Sequence, residues 1–212
     1  MRTKNAVSTI SYNSIPFLLD TLSTLVNEGI VEDWIFIRHD PEVDEKKAHI
    51  HLWLRLCRLT DTQILQSYFE ESDPFHPDKP LKCISFQSTP CDPDPTGIDN
   101  WIPYSMHYAP YLAIKGEARE FHYSIEDFTC MDPDSFDFWY QHAMKGSKWA
   151  KDWSTLQVLR QKRFNPADLI LSGSVPLNMA GNLRAFTNLC HLDRLERGDH
   201  FNHEEEVFED DE

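Results

Sequence analysis

Apolar and polar positions along the first 130 residues fall into short blocks that change period several times. Residues 6–12 (AVSTISY) alternate roughly, are rich in β-branched side chains and close at Asn13 and Ser14, which predicts a first strand. Apolar residues then recur at 17, 18, 19, 22, 25 and 26. That is the spacing of one helical face, with Ser14 before Pro16 as a start and Gly29 as a stop. Residues 34–38 predict a second strand and 48–56 (AHIHLWLRL) an alternating third, joined by a charged hairpin turn over 40–47. Residues 61–69 predict a second helix and 83–87 a fourth strand. The order β-α-β-β-α-β predicts an α+β, ferredoxin-like (RRM-like) antiparallel sheet with its helices on one face. The opposite face is then left open for a site.

Seven of the 13 prolines lie between residues 73 and 103, which predicts a long irregular stretch around strand four. Residues 104–114 read as a third helix, although Pro110 inside it must kink it or mark its start. Residues 122–125 read as a short strand. Beyond residue 130 the pattern turns helical, over 135–144, 153–163 and 177–189. The expected organisation is a domain over 1–130, a C-terminal helical appendage over 131–197 and a disordered acidic tail over 198–212.

Charge changes this picture only locally. The net charge is −15, but residues 199–212 hold 8 acids and no Lys or Arg, and without them the charge is −7. A nucleic-acid contact must therefore come from a confined basic patch. With 7 glycines and neither GxGxxG nor GxxxxGK[ST], the chain is not expected to be a Rossmann dehydrogenase or a P-loop ATPase. Five cysteines (57, 83, 91, 130, 190) without a CxxC pair fit a reducing compartment. No secretory or membrane segment is evident, so a soluble cytoplasmic protein is expected, with no membrane partner.

The most informative short segment is His49-Ile50-His51 on the third predicted strand. Side chains two apart on a strand share a face, so the two imidazoles stand side by side, either as metal ligands or as polar residues on a solvated sheet. The preceding strand ends at His39-Asp40-Pro41-Glu42, and a hairpin brings His39 and Glu42 to the pair. Mixed nitrogen and oxygen donors suit a divalent metal, Mn²⁺ or Mg²⁺, with Zn²⁺ or Co²⁺ also acceptable. Asp40 and Asp44 are the alternatives for the carboxylate. Tyr104, Tyr108 and Tyr111 follow at helical spacing. They are either an aromatic core stripe or the source of a nucleophile for a metal-polarised phosphate. Lys115 stands one turn after Tyr111 and would hold the phosphate or ease loss of the phenol proton. Arg55, Arg58, Lys79 and Lys82 are candidates for binding DNA, Arg55 sharing the parity of the histidines.

KAHIHLWLRL, with RHDPEVDE upstream and PYLAIKGEAREFHYSIEDF downstream, resembles the HUH superfamily, in particular plasmid-type rolling-circle replication initiators with one catalytic tyrosine. The likeness covers about residues 5–128. It implies that His39, Glu42, His49 and His51 hold the metal and that Tyr111 is the nucleophile, with Tyr108 in reserve and Tyr123 non-catalytic. It implies nicking of single-stranded origin DNA, hairpin or extruded, through a 5′-phosphotyrosine link that frees a 3′-hydroxyl primer, followed by rejoining. Without a Walker motif, a host helicase is the expected partner, and a homo-oligomer is compatible. The chain departs from the family where Ile114 and Lys115 follow the tyrosine and where Glu120 stands at the usual lysine. Two other readings compete. One is a metal-dependent phosphodiesterase that uses water. The other is a non-catalytic nucleic-acid module, although paired histidines on the sheet are unlike the aromatics an RNA-recognition sheet prefers.

Overall fold

The computed structural model describes residues 6–40, 47–73, 75–76, 78–91, 97–115, 117, 119, 122–151 and 154. The chain is α+β. Strands β1 (Ala6–Ser11), β2 (Val31–His39), β3 (His49–Leu56), β4 (Gln87–Ser88) and β5 (Phe128–Cys130) form one sheet in the order β4-β1-β3-β2-β5, every pair antiparallel. The first four strands, with helices α1 (Ile15–Asn27) and α2 (Thr62–Ser67), make the ferredoxin-like arrangement, and β5 adds an edge beside β2. Among the described residues no helix is long and apolar enough to cross a membrane.

One face of the sheet is packed by α1 and α2. Leu18, Leu22 and Leu25 of α1 meet Val7, Phe36, Ile50, Leu52 and Leu54, all buried. Each such leucine contributes about 2 kcal/mol by leaving water. Pro16 sits in the first turn of α1, where its missing N–H costs nothing, and Gly29 just past the C-terminus takes φ +65°.

The opposite face is not open, as the ferredoxin-like order suggested. Helix α3 (Ile98–Ser105), α5 (Pro133–Gln141) and the π-turn His142–Gly146 cover part of it, burying Ala6, Ile35 and Trp53 against Ile98, Trp101, Ile102 and Phe136. The odd-numbered residues of β2 and β3 (Ile35, Trp53) carry an apolar surface too large to leave wet, and the segments after β4 return to bury it.

Four other elements differ from the sequence pattern. Only Gln87–Ser88 pairs as a strand, because the register against β1 slips by one residue between Ser11↔Cys83 and Ser8↔Gln87. The expected helix over 104–114 is split into α3, ending at Ser105, and α4 (Ala109–Lys115). Pro110 would clash with the carbonyl of Met106 in a continuous helix, so the chain turns at His107, which takes φ +52°. Pro103 within α3 leaves the Asp99 carbonyl without its helical donor, and the Trp149 indole N–H fills the place at 3.1 Å. Residues 122–125 are not a strand; β5 forms three residues later, after the 3₁₀ turn Ile125–Asp127. The helix expected over 135–144 is α5 plus the π-turn. Those expected over 153–163 and 177–189, and the acidic tail, lie outside the described residues apart from Ser154.

Candidate metal centre

The histidine cluster follows from strand register. His39 is the last residue of β2 and faces His49, the first of β3, across the antiparallel ladder, while His51 faces Ile37. Odd positions of both strands point to the same face, so three rings converge at one end of the sheet, beside the C-terminal end of α3. Their centroids are 5.1 Å (39–49), 4.4 Å (39–51) and 5.1 Å (49–51) apart. One ligand nitrogen from each lies within 4.8 Å of the others, close enough to hold a metal ion.

Hydrogen bonds fix which nitrogen of two rings is available. His39 Nε2 donates to the Ser105 carbonyl at 2.6 Å, which leaves Nδ1 with the lone pair, and that Nδ1 is buried with no hydrogen-bond partner. His49 Nδ1 donates to the Lys47 carbonyl at 3.1 Å, which leaves its Nε2 free to ligate. A ligating imidazole whose other nitrogen is held by a carbonyl is the usual construction of a metal site. Burial pushes the His39 imidazole down to about 3 and holds His51 well below the ordinary histidine value, and the neighbouring imidazoles and the Arg119 guanidinium push the same way. Both rings are therefore neutral and able to ligate at physiological pH.

His107 and His122, which the sequence pattern did not assign, complete the surroundings with Tyr123 and Tyr104. His107, in the left-handed turn between α3 and α4, has its ring 4.5 Å from His39. Tyr123 stacks on His39 at 4.3 Å with the planes 4° apart, and the His122 ring donates to the His107 carbonyl. Tyr104, on α3, brings its ring to 6.0 Å from His51 and is 37% exposed. Tyrosine spacing had pointed to Tyr104 and the family resemblance to Tyr123, whereas for His107 the one local signal was Pro110, which breaks the helix there.

Two cavities meet at this cluster. The larger, about 1020 Å³, is lined by His49, His51 and His107 and by the cations Lys47, Lys79, Lys82 and Arg119. The smaller, about 560 Å³, is lined by His51, Tyr104 and Tyr111 and by small polar residues.

The structure thus places Lys79 and Lys82 in one cavity with the histidines. Arg55 and Arg58 are not with them. Arg55 is near the far end of β3, paired with Glu32 at 3.3 Å, and Arg58 is exposed beyond that strand. Tyr111 is 4% exposed and packs edge-on against Trp149 at 5.4 Å, and burial pushes its phenol up to about 12. Lys115 lies 5.5 Å from the centroid of the Tyr111 ring and lines neither cavity. Tyr108 is half-buried against Trp149. Glu42 lies outside the described residues. No protein-family model, curated protein or solved structure matches the chain.

Proposed function

We propose that the chain is a metal-dependent nicking and joining enzyme for single-stranded DNA, an initiator of rolling-circle replication of the HUH kind. The observation that carries this is the convergence of His39, His49 and His51, with a buried, unpartnered Nδ1 on His39. Three imidazoles favour Mn²⁺ over Mg²⁺, which prefers an all-oxygen shell. Glu42, three residues beyond His39, is the carboxylate the family resemblance adds. The metal would act as a Lewis acid on the scissile phosphate.

The rest of the site suits the substrate. Arg119 lines the larger cavity with a buried Nε that has no partner, while its Nη2 pairs with Glu117 at 3.6 Å; a phosphate would compete with that carboxylate for the guanidinium. Lys47, Lys79 and Lys82 continue the positive lining along which a backbone would run. A tyrosine Oη would attack phosphorus as its phenol proton passes to solvent, the P–O3′ bond would break, and the leaving oxygen would take a proton from solvent to become the 3′-hydroxyl. The 5′-phosphotyrosine keeps the bond energy, so the reverse attack rejoins the strand without ATP. A separate helicase would supply the unwound strand.

Tyr111 is the nucleophile that the resemblance selects. A second reading assigns the attack to Tyr104, because its ring is the tyrosine ring against His51 and its side chain is open to solvent. The test is incubation of the full chain with Mn²⁺ and single-stranded candidate origin hairpins, followed by a denaturing gel and peptide mapping of any adduct. Tyr111→Phe keeps the ring that packs edge-on against Trp149, so it tests the phenol oxygen alone. The expected result is an adduct on Tyr111 that Tyr111→Phe abolishes. An adduct mapped to Tyr104 moves the nucleophile there. Cut DNA without an adduct replaces the tyrosine by water, and uncut DNA across a pool containing the true origin overturns the nuclease reading.

A further inference from the structure

The two cavities that meet at His51 and Tyr104 differ in chemistry. Four cations and one carboxylate, Asp73, line the larger one, whereas no Lys, Arg, Asp or Glu lines the smaller one. The smaller cavity instead presents hydroxyls and amides around the Trp101 and Tyr104 rings. Its volume, about 560 Å³, lies within the range of small-ligand pockets, about 300–1,000 Å³. Phosphate is held by cations, while a base is held by neutral donors and acceptors and an aromatic face.

The floor of this pocket is already tied. Ser8 and Thr89 share a hydroxyl–hydroxyl bond of 2.6 Å, Thr9 donates to the Ile84 carbonyl at 2.7 Å, and the Trp53 indole donates to the Thr89 carbonyl at 3.0 Å. Gln87 on β4 is different. It is exposed, lines the pocket, and its side-chain amide makes no hydrogen bond among the described residues. One carbonyl and one NH₂ in a plane match the N6 and N7 of adenine.

We propose that the smaller cavity is a base-recognition pocket. It takes the nucleobase beside the phosphate held at the metal centre, reads it with Gln87, and so sets the sequence at which the chain engages DNA. The pocket rests on the reading of single-stranded DNA as substrate; it adds where, and by which residue, sequence is read.

The test is selection by the full chain, with Mn²⁺, from a fully randomised single-stranded DNA pool, followed by sequencing of the bound fraction. The wild type should enrich adenine at one position, by about tenfold over the other bases. Gln87→Ala should flatten that position alone and leave enrichment elsewhere and Mn²⁺ binding unchanged. Gln87→Glu keeps the shape but only accepts, so the preference should move to cytosine, whose N4 donates. A merely structural role for Gln87 would not produce that switch. If the wild type selects a sequence and both variants reproduce its profile, the pocket is overturned while the nickase reading stands. If the wild type binds Mn²⁺ but retains no DNA, the substrate class falls and the pocket falls with it.

Discussion

His39 is the residue on which most of the site's geometry depends. It is 1% exposed, donates through Nε2 to Ser105, and lies under the Tyr123 ring. Burial depresses its pKa to about 3 from an ordinary 6.5, and His51 is depressed for the same reason. The sign of the consequence is fixed by linkage. The unfolded chain takes up protons below about pH 6.5 that the folded chain refuses, so this stability is fully present above that pH and drains as pH falls toward about 3. The His39 ring should cost about 2 kcal/mol between pH 7 and pH 5, and His51 shifts stability in the same direction. Urea unfolding of the metal-free protein at both pH values should show that fall, and His39→Gln should remove part of it. A pH-independent midpoint would mean that the rings are not held neutral. The histidines were legible in the sequence because strand parity and a hairpin suffice to bring 39, 49 and 51 together. Ser105, His107 and Tyr123 were not, since they reach His39 from about 66 residues or more along the chain and no local pattern encodes that return.

At the scale of elements, the strands and α1 were readable because their periods are strong, although most strand pairings, β1 with β3 and β4 and β2 with β5, join distant parts of the chain. Gly29 is a measurable point in that frame. It takes φ +65° after α1 and has nothing within 4 Å of where a Cβ would stand. Gly29→Ala should therefore cost only the backbone strain, about 1–2 kcal/mol, seen as a lower urea midpoint at an unchanged m-value. A neutral or stabilising result would show that the turn relaxes. The split of the third helix was half legible. Pro110 marked a break, but that α3 would then lie on the sheet and carry Tyr104 to His51 depends on the burial of Ile98, Trp101 and Ile102 against Trp53. The open second face was the expectation that failed, because alternation within a strand says which residues share a face but not what later covers them.

At the scale of the molecule, a chain of net charge −15 gathers Lys47, Lys79, Lys82 and Arg119 around one cavity beside its histidines. Affinity for single-stranded DNA should therefore be local, electrostatic and sensitive to salt. Anisotropy titrations over a series of salt concentrations should give a linear log–log dependence, and Lys82→Ala should make its slope shallower by about 0.7 for one lost phosphate contact. Arg58→Ala, outside the cavity, should leave the slope unchanged; equal effects from the two would disperse the contact over the surface. Everything chemical in this account depends on the three imidazoles holding a metal. The most direct measurement is pulsed electron paramagnetic resonance of the full chain titrated with Mn²⁺, which reads nitrogen ligands on the ion itself. One Mn²⁺ per chain should bind with histidine nitrogen couplings, weakened at least 100-fold by His39→Ala or His51→Ala, beyond the 10–100-fold of an outer-shell loss. Mn²⁺ that binds without nitrogen couplings, or that binds equally well after either substitution, would contradict it.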